Sequence, residues 1–192
     1  MSTISPVTGA PDLAALLAAG DIQGAIQLVM GNRVQLLDAQ LAQQIQAVQD
    51  RNDQISKLND LLSKLTTFEA GIKGAGASDS FDQKNYTQDM INNEAAVNDA
   101  LRDTGVDVGI PNKGGQHSTP DQASAVGWGT TRGQLDAAIT KVKGLIDTAS
   151  NNQQMDMLRL QSLNNKRDEA FDMLTNTQKS FHDTTSGIIR NL

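Results

Sequence analysis

Two stretches of the chain repeat apolar residues at alternating spacings of three and four. The first runs from Val34 to Ile72 and the second from Ile139 to Ile188. This spacing is typical of a coiled-coil seam, because it aligns the apolar side chains along one side of a helix. The seam residues are Val34, Leu37, Leu41, Val48, Ile55, Leu58, Leu62 and Leu65 in the first stretch, and Ile139, Val142, Ile146, Leu160, Leu163, Leu174, Phe181 and Ile188 in the second. The pattern predicts a mainly all-α fold: a long antiparallel coiled-coil helical hairpin from the N- and C-terminal halves, with a small irregular insert between them.

Polar residues interrupt both predicted seams. They stand at Gln44, Arg51, Glu69, Gln153, Asp156 and Arg167. A polar side chain in a seam lowers the free energy gained by a dry two-stranded interface. We therefore expect the hairpin to associate with further copies of the chain, which would cover apolar surface that one hairpin leaves exposed.

The rest of the chain divides into shorter regions. The predicted order is a flexible secretion leader over 1–11, short apolar helices over 12–33, the first coiled-coil helix over 34–73, a variable insert over 74–129 and the C-terminal coiled-coil helix over 130–192. Asp12 and Asp21 are candidate N-caps for the short helices, and glycines after Ala70 end the first long helix.

The insert is expected to hold one short helix and a loop. Apolar spacing predicts a helix from Thr87 to Asp103, with Gly105 as its stop. Val106–Ile110 alternates apolar and other residues, which predicts a short strand or an extended segment. Trp128 stands between two glycines, and we expect it to pack the insert onto the helical stem; stacking against a ligand is the alternative.

The composition limits the functions that fit. Aromatic residues make up 3% of the 192 residues, which suits a thin aliphatic core. A net charge of -6 argues against nucleic acid as the main partner, because phosphate binding needs a basic face. Cysteine is absent, which excludes disulfides and thiolate metal sites. The first residues lack the basic and apolar regions of a Sec signal peptide.

Motifs for catalysis or cofactor binding are not found in the sequence. His117 and His182 are far apart, and neither has a second metal ligand at helical spacing. The Gly-x-Gly pairs around Ala75 and Trp128 lack the rest of a phosphate-binding or dinucleotide fingerprint. We therefore predict a protein that is not an enzyme and that uses no catalytic residue, metal or cofactor.

The C-terminal stretch resembles a known family. Its runs Gly144–Met155 (GLIDTASNNQQM), Leu158–Asn164 (LRLQSLN) and Ser186–Ile189 (SGII) are similar to the terminal helix of EspA-like type III secretion filament and needle-tip subunits. The layout is similar as well, because those proteins have an unstructured leader, a long heptad helix, a variable middle and a long C-terminal heptad helix. Residues 74–129 carry no such likeness.

The resemblance implies a secreted, extracellular subunit that reaches the cell surface through a type III secretion channel. It implies self-assembly into a helical filament or a needle-tip ring, and a role in protein transport and virulence. The implied partners are further copies of the chain, the secretion needle subunit, and the translocator proteins that form a pore in the host membrane. A cytosolic secretion chaperone is also expected, because exposed apolar seams would otherwise polymerise before export.

Two other interpretations stay open. A soluble coiled-coil chaperone or adaptor would complete its hairpin as a monomer or dimer and bind a client through the insert. A flagellin-like subunit would share the helical termini and the variable middle, but the signatures of that family are missing. Within the type III interpretation, the short Gly-rich insert favours a filament over a tip complex with a large globular domain.

Overall fold

The computed structural model describes residues 12–113 and 116–190. This part of the chain contains the helices α1 (Leu13–Ala18), α2 (Ile22–Ala70), α3 (Gln88–Thr104) and α4 (Arg132–Arg190), with a short 3-10 helix at Gln83–Asn85. The described residues form no strand, and Pro111 and Ser124 make an isolated antiparallel bridge. The predicted fold class is confirmed: the protein is all-α, and its two long helices pack against each other as a helical hairpin.

The N-terminal helices begin at their predicted caps. Asp12 accepts a hydrogen bond from Ala14 N at 3.2 Å, and Asp21 accepts one from Gly24 N at 2.8 Å. The predicted change from short helices to a long helix between residues 33 and 34 does not appear, because α2 is continuous from Ile22. A glycine inside a helix costs about 1 kcal/mol, which a helix of this length tolerates. The predicted leader, residues 1–11, lies outside the described residues.

Local side-chain contacts also fix the ends of α3 and α4. Thr87 caps α3 at its start, and Gly105 ends it in a left-handed conformation with φ 63°, which favours glycine. Before α4, Gln134 N donates to Thr131 Oγ1 at 3.4 Å and Thr131 N donates to Gln134 Oε1 at 3.0 Å. This reciprocal capping box satisfies two N–H groups that the helix cannot pair internally. Helix α4 then continues to Arg190 without a break.

The chain divides into two compact units. We call Met1–Gln46 with Met157–Leu192 the terminal unit, and Ala47–Asp156 the central unit. The main hydrophobic core belongs to the central unit and draws on α2, α3, the loop after α3 and the first turns of α4. Its fully buried members include Leu61, Leu65, Val97, Leu135 and Val142.

Aromatic contacts hold the segment between α2 and α3. The ring of Phe81 lies 4.8 Å from that of Phe68 and 5.3 Å from that of Tyr86, between ring centroids. Such tilted and edge-on pairs add to the stability gained from burial. The prediction that Trp128 packs the insert onto the stem is wrong, because that side chain is 48% exposed. Phe68 and Phe81, which are buried, supply this packing.

Candidate functional site: the helix seams and their exposed flanks

In the central unit, the predicted seam residues face inward. Leu58, Leu65, Ile139 and Val142 are buried, and Val48, Ile55, Leu62 and Ile146 are partly buried. The same core contains Leu135 and Ala138, which are both fully buried and are not among the predicted seam residues. The sequence pattern does extend to these two residues, because the spacings from Leu135 to Ala138 and from Ala138 to Val142 continue the three-and-four repeat toward the N-terminus.

In the terminal unit, the seam residues are less deeply buried. Leu37 is buried, and Val34, Leu41, Leu160, Leu163, Leu174 and Phe181 are partly buried. Two small residues, Ala25 and Ala170, are buried as well. The side chain of Ile188, the last predicted seam position, lies outside the described part of the structure. Small residues at these positions remove little apolar surface from water, so this seam contributes less burial per turn.

The polar interruptions of the central seams are paired across the two helices. Arg51 Nε lies 3.7 Å from Asp156 Oδ2, and the Asp156 side chain is only 9% exposed. Next to Arg51 on α2, Asn52 accepts a hydrogen bond through Oδ1 from Gln153 Nε2 on α4. Such pairs favour one register of the two helices, because sliding one helix by a turn would separate the opposite charges of Arg51 and Asp156 and break the hydrogen bond between Gln153 and Asn52.

Two more ion pairs join the long helices. In the central unit, Arg132 Nη2 lies 2.9 Å from Glu69 Oε1. In the terminal unit, Arg167 Nε donates to Asp38 Oδ1 at 2.7 Å, with the two side chains 42% and 50% exposed. Glu69 and Arg167 are visible in the sequence as interruptions of the seams, but their partners are not, because the pairing depends on the register in which the two helices pack.

The terminal unit exposes apolar side chains beside its seam. On α2, Ile22, Val29 and Leu36 repeat every seven residues and are 64%, 49% and 59% exposed; we call them the α2 flank. On α4, Met157, Phe171 and Ile189 lie within about 40° of one another around the helix axis and are also exposed; we call them the α4 flank. Leu36 adjoins buried Leu37 and Phe171 adjoins buried Ala170, so both flanks point about 100° away from the seam.

Buried polar side chains organise the loop of the central unit. Asn98, which is fully buried, donates from Nδ2 to Val126 O at 3.0 Å and accepts from Val126 N at 2.8 Å. Glu94, 1% exposed, accepts from Tyr86 Oη and from Gln116 N, each at 2.9 Å. Burial, and then the hydrogen bond to Glu94, raises the pKa of Tyr86 well above its ordinary value.

A second polar cluster fixes the turn after α3. Ser124 Oγ donates to Asp107 Oδ1 at 2.6 Å and accepts from Val108 N and Gly109 N at 3.1 and 3.2 Å. The hydrogen bond from Ser124, followed by that from Gly109 N, lowers the pKa of Asp107. These contacts satisfy backbone groups that no helix or sheet pairs, so they serve the loop's structure.

The residues that most often carry catalysis or metal binding are dispersed. His117 is exposed, and the side chain of His182 is 82% exposed. Across residues 12–113 and 116–190, no group of three His, Cys, Asp or Glu residues is arranged to hold a metal ion. Within the same ranges, no helix combines the length and the apolar character needed to cross a membrane.

Comparison with known proteins gives no match to a family model, to a curated protein or to a solved structure.

Proposed function

We propose that the chain is a structural subunit of an extracellular type III secretion filament or needle-tip complex. It self-assembles through its long helices and links the secretion needle to the translocation pore. The observation that supports this most is the uneven burial of the terminal unit. Among its described residues, three apolar residues are buried and eleven large apolar side chains are exposed.

The geometry of the α2 flank fits a helix of a second copy. Ile22, Val29 and Leu36 repeat with the same seven-residue period as the intrachain seam, and that period matches another coiled-coil helix. Fully burying one such side chain contributes about 1.5–3 kcal/mol relative to leaving it exposed. Burial of these side chains against a second copy would therefore contribute favourably to association, against the entropic cost of bringing two copies together.

The two flanks differ in sequence, which favours a polymer over a closed pair. If the α2 flank of one copy packs on the α4 flank of the next, the pair keeps one free α4 flank and one free α2 flank, and each of these can bind a further copy. Such heterologous contacts repeat, forming a ring when the rotation closes and a helical filament when it does not. A tip ring and a filament thus follow from the same contact with different rotation angles.

The proposed partners follow from this assignment. The assembled subunits contact the secretion needle at one end and the translocator proteins at the other. Before export, a cytosolic secretion chaperone covers the flanks, because exposed apolar stripes on a chain made in the cell would associate early.

The first experiment measures assembly of the full chain. Light scattering after size-exclusion chromatography, over a range of protein concentrations, should show growth with concentration, and negative-stain images should show fibres or rings. Leu36→Lys and Phe171→Lys should each stop this growth while the helical circular dichroism stays unchanged, since both side chains are more than half exposed. Gln35→Lys adds the same charge at an exposed neighbouring position and should leave assembly intact.

A truncation tests the C-terminal end of α4. Deleting residues 184–192 removes Ile189, which is 68% exposed, and should also stop growth. A stable monomer at high concentration, or unchanged growth of the lysine variants, would refute the assembly proposal. A discrete small species that binds a client would instead favour a chaperone or adaptor. Export that persists in a strain lacking type III secretion would contradict the proposed route.

A further inference from the structure

The loop that carries Trp128 is held rigidly although the indole itself is exposed. The backbone of Val126 is fixed on both sides by the buried amide of Asn98. Gly127 N donates to Thr130 Oγ1 at 2.9 Å, and Thr130 N donates to Gly127 O at 2.9 Å. Thr130 is 6% exposed, against 48% for Trp128. A fixed loop therefore presents the indole to solvent, and little binding free energy would be lost in ordering it.

Gly129, beside the indole, is not explained by the fold. Its φ lies outside the left-handed region that favours glycine, and a Cβ added there would meet no atom within 4 Å outside the two neighbouring residues of the chain. Neither backbone conformation nor packing thus excludes a side chain at this position. Glycine is also selected where a ligand approaches the backbone closely. Because Gly129 lines a cavity, the missing side chain leaves space there for a bound molecule.

A cavity of about 350 Å³ adjoins this loop and is lined by Trp128, Gly129, Pro111 and Lys113, among others. This volume lies in the range of small-molecule sites, roughly 300–1,000 Å³. Lys113 is the only ionisable side chain among the described residues that line it. No salt bridge within the described residues involves Lys113. The cavity therefore combines one aromatic face with one cation that has no salt-bridge partner among residues 12–113 and 116–190.

We propose that this cavity binds a carboxylate-bearing sugar residue, with the sugar ring stacked on the Trp128 indole and its carboxylate paired with Lys113. The negative face of an indole attracts the weakly positive C–H groups on a sugar ring. An ammonium and a carboxylate form a charge-assisted hydrogen bond, which is stronger than a neutral one. Gly129 leaves the space in which the ring approaches the loop.

The surroundings of Trp128 disfavour a docked protein or a membrane. Within the described part of the central unit, the exposed large apolar side chains are Trp128 and Met155. A protein hot spot or a membrane contact would be surrounded by further apolar side chains. This binding activity goes beyond the assembly role and does not depend on it, because the cavity lies within one copy of the chain.

The test uses the chain's single tryptophan, whose fluorescence reports on this site alone. Full-length protein is titrated with N-acetylneuraminic acid, glucuronic acid and, as the neutral control, glucose. We expect a saturable change in emission with at least one of the acids, and about tenfold weaker binding of glucose, because glucose cannot form the charge-assisted contact. Added salt should weaken binding of the acid, since the carboxylate pairs with a partly solvated ammonium.

Substitutions at Lys113, Gly129 and Trp128 test which of these residues contact the bound acid. Lys113→Gln should reduce binding of the acid to the level of glucose, and Gly129→Ala should weaken binding of the acid by filling the open space. Gly144→Ala is the matched control, because a Cβ there also meets nothing within 4 Å but the residue lies in α4, away from the cavity lining. Trp128→Ala, followed by calorimetry, should abolish binding. Circular dichroism checks that each variant is folded.

Several results would overturn the proposal. No saturable response to either acid at millimolar concentration would do so, as would equal binding of the acid by the Lys113→Gln variant. A response confined to anionic phospholipid vesicles would identify a membrane contact instead. An emission change that follows protein concentration alone would identify a contact between copies. Should Trp128→Ala fail to fold, Lys113→Gln still decides, because Lys113 is exposed and has no structural partner in the described residues.

Discussion

Both units contain the same two helices, yet they bury very different amounts of apolar surface. Among the described residues, the central unit buries eighteen apolar residues and exposes two large ones, whereas the terminal unit buries three and exposes eleven. The central unit has a third layer, because Val97 and Leu101 of α3 and the loop residues Val108 and Ile110 join its core. In the described part of the terminal unit, the one further helix is the six-residue α1, which buries no residue.

The difference shows what a pair of helices can cover. When two helices pack together, each buries one stripe of side chains against the other. Side chains about 100° around the helix axis from that stripe stay exposed unless another element packs on them. In the central unit, α3 and its loop provide that element within the chain. In the terminal unit, a second copy would provide it, which is why we place self-assembly there and ligand binding at the loop of the central unit.

The largest expected effect comes from a matched pair of leucines. Leu61→Ala removes a fully buried side chain of the central unit and should lower the free energy of unfolding by about 2–5 kcal/mol. Leu36→Ala removes the same atoms from a side chain that is 59% exposed, and should change stability of the monomer by no more than about 0.5 kcal/mol. Denaturant titration of dilute, unassembled protein measures both. Equal losses would show that the two units do not differ in burial.

Asn98→Ala tests whether a buried amide holds the loop of the central unit. The change leaves both Val126 N and Val126 O without their partner, and should cost about 2–4 kcal/mol of unfolding free energy. Amide hydrogen exchange at residues 124–130 should become faster. The exposed Asn92→Ala, on the same helix, is the control and should have little effect. An unchanged loop would mean that packing alone fixes it.

The ion pairs of the seams offer a comparison between the units. Asp156→Ala should lower the free energy of unfolding by about 2 kcal/mol. This loss is smaller than that expected for a fully buried ion pair, because the partner Arg51 is 31% exposed. Asp38→Ala should lower the free energy of unfolding by about 0–1 kcal/mol, because the side chains of Asp38 and Arg167 are 50% and 42% exposed. Replacing Arg51 and Asp156 together by Leu should restore most of the stability. A larger loss at Asp38 than at Asp156 would contradict the assignment of the central seam as the better buried.

The smallest expected effect concerns alkaline pH. In the unfolded chain Tyr86 loses its proton near pH 10, at about its ordinary pKa. In the folded chain burial and Glu94 keep it neutral to higher pH, so the free energy of unfolding should fall as the pH rises above about 10. Tyr86 is the only tyrosine, so tyrosinate absorbance follows it directly. Tyr86→Phe should remove this dependence, and a midpoint at the ordinary pKa would contradict the burial.

Several features could be predicted because they depend on local sequence. The short helix expected over Thr87 to Asp103 corresponds to α3, and its end at Gly105 reflects a backbone conformation that glycine favours. Asp12 and Asp21 cap their helices through contacts two and three residues away. The continuity of α2 from Ile22 into the predicted long helix was missed, because Gly24 and Gly31 lower helix propensity and nothing local shows that the helix continues through them.

The apolar repeat alone determined that the chain contains two long helices and which side of each is apolar, because helical periodicity is a property of consecutive residues. Tertiary structure alone decided that Asp156 meets Arg51, that Asp38 meets Arg167, and that Trp128 faces solvent. Those outcomes depend on the register between segments distant in sequence and on where α3 and its loop fold back. Neither is encoded by the spacing of residues within one segment, so the exposed flanks and the indole cavity could be located only once the packing was known.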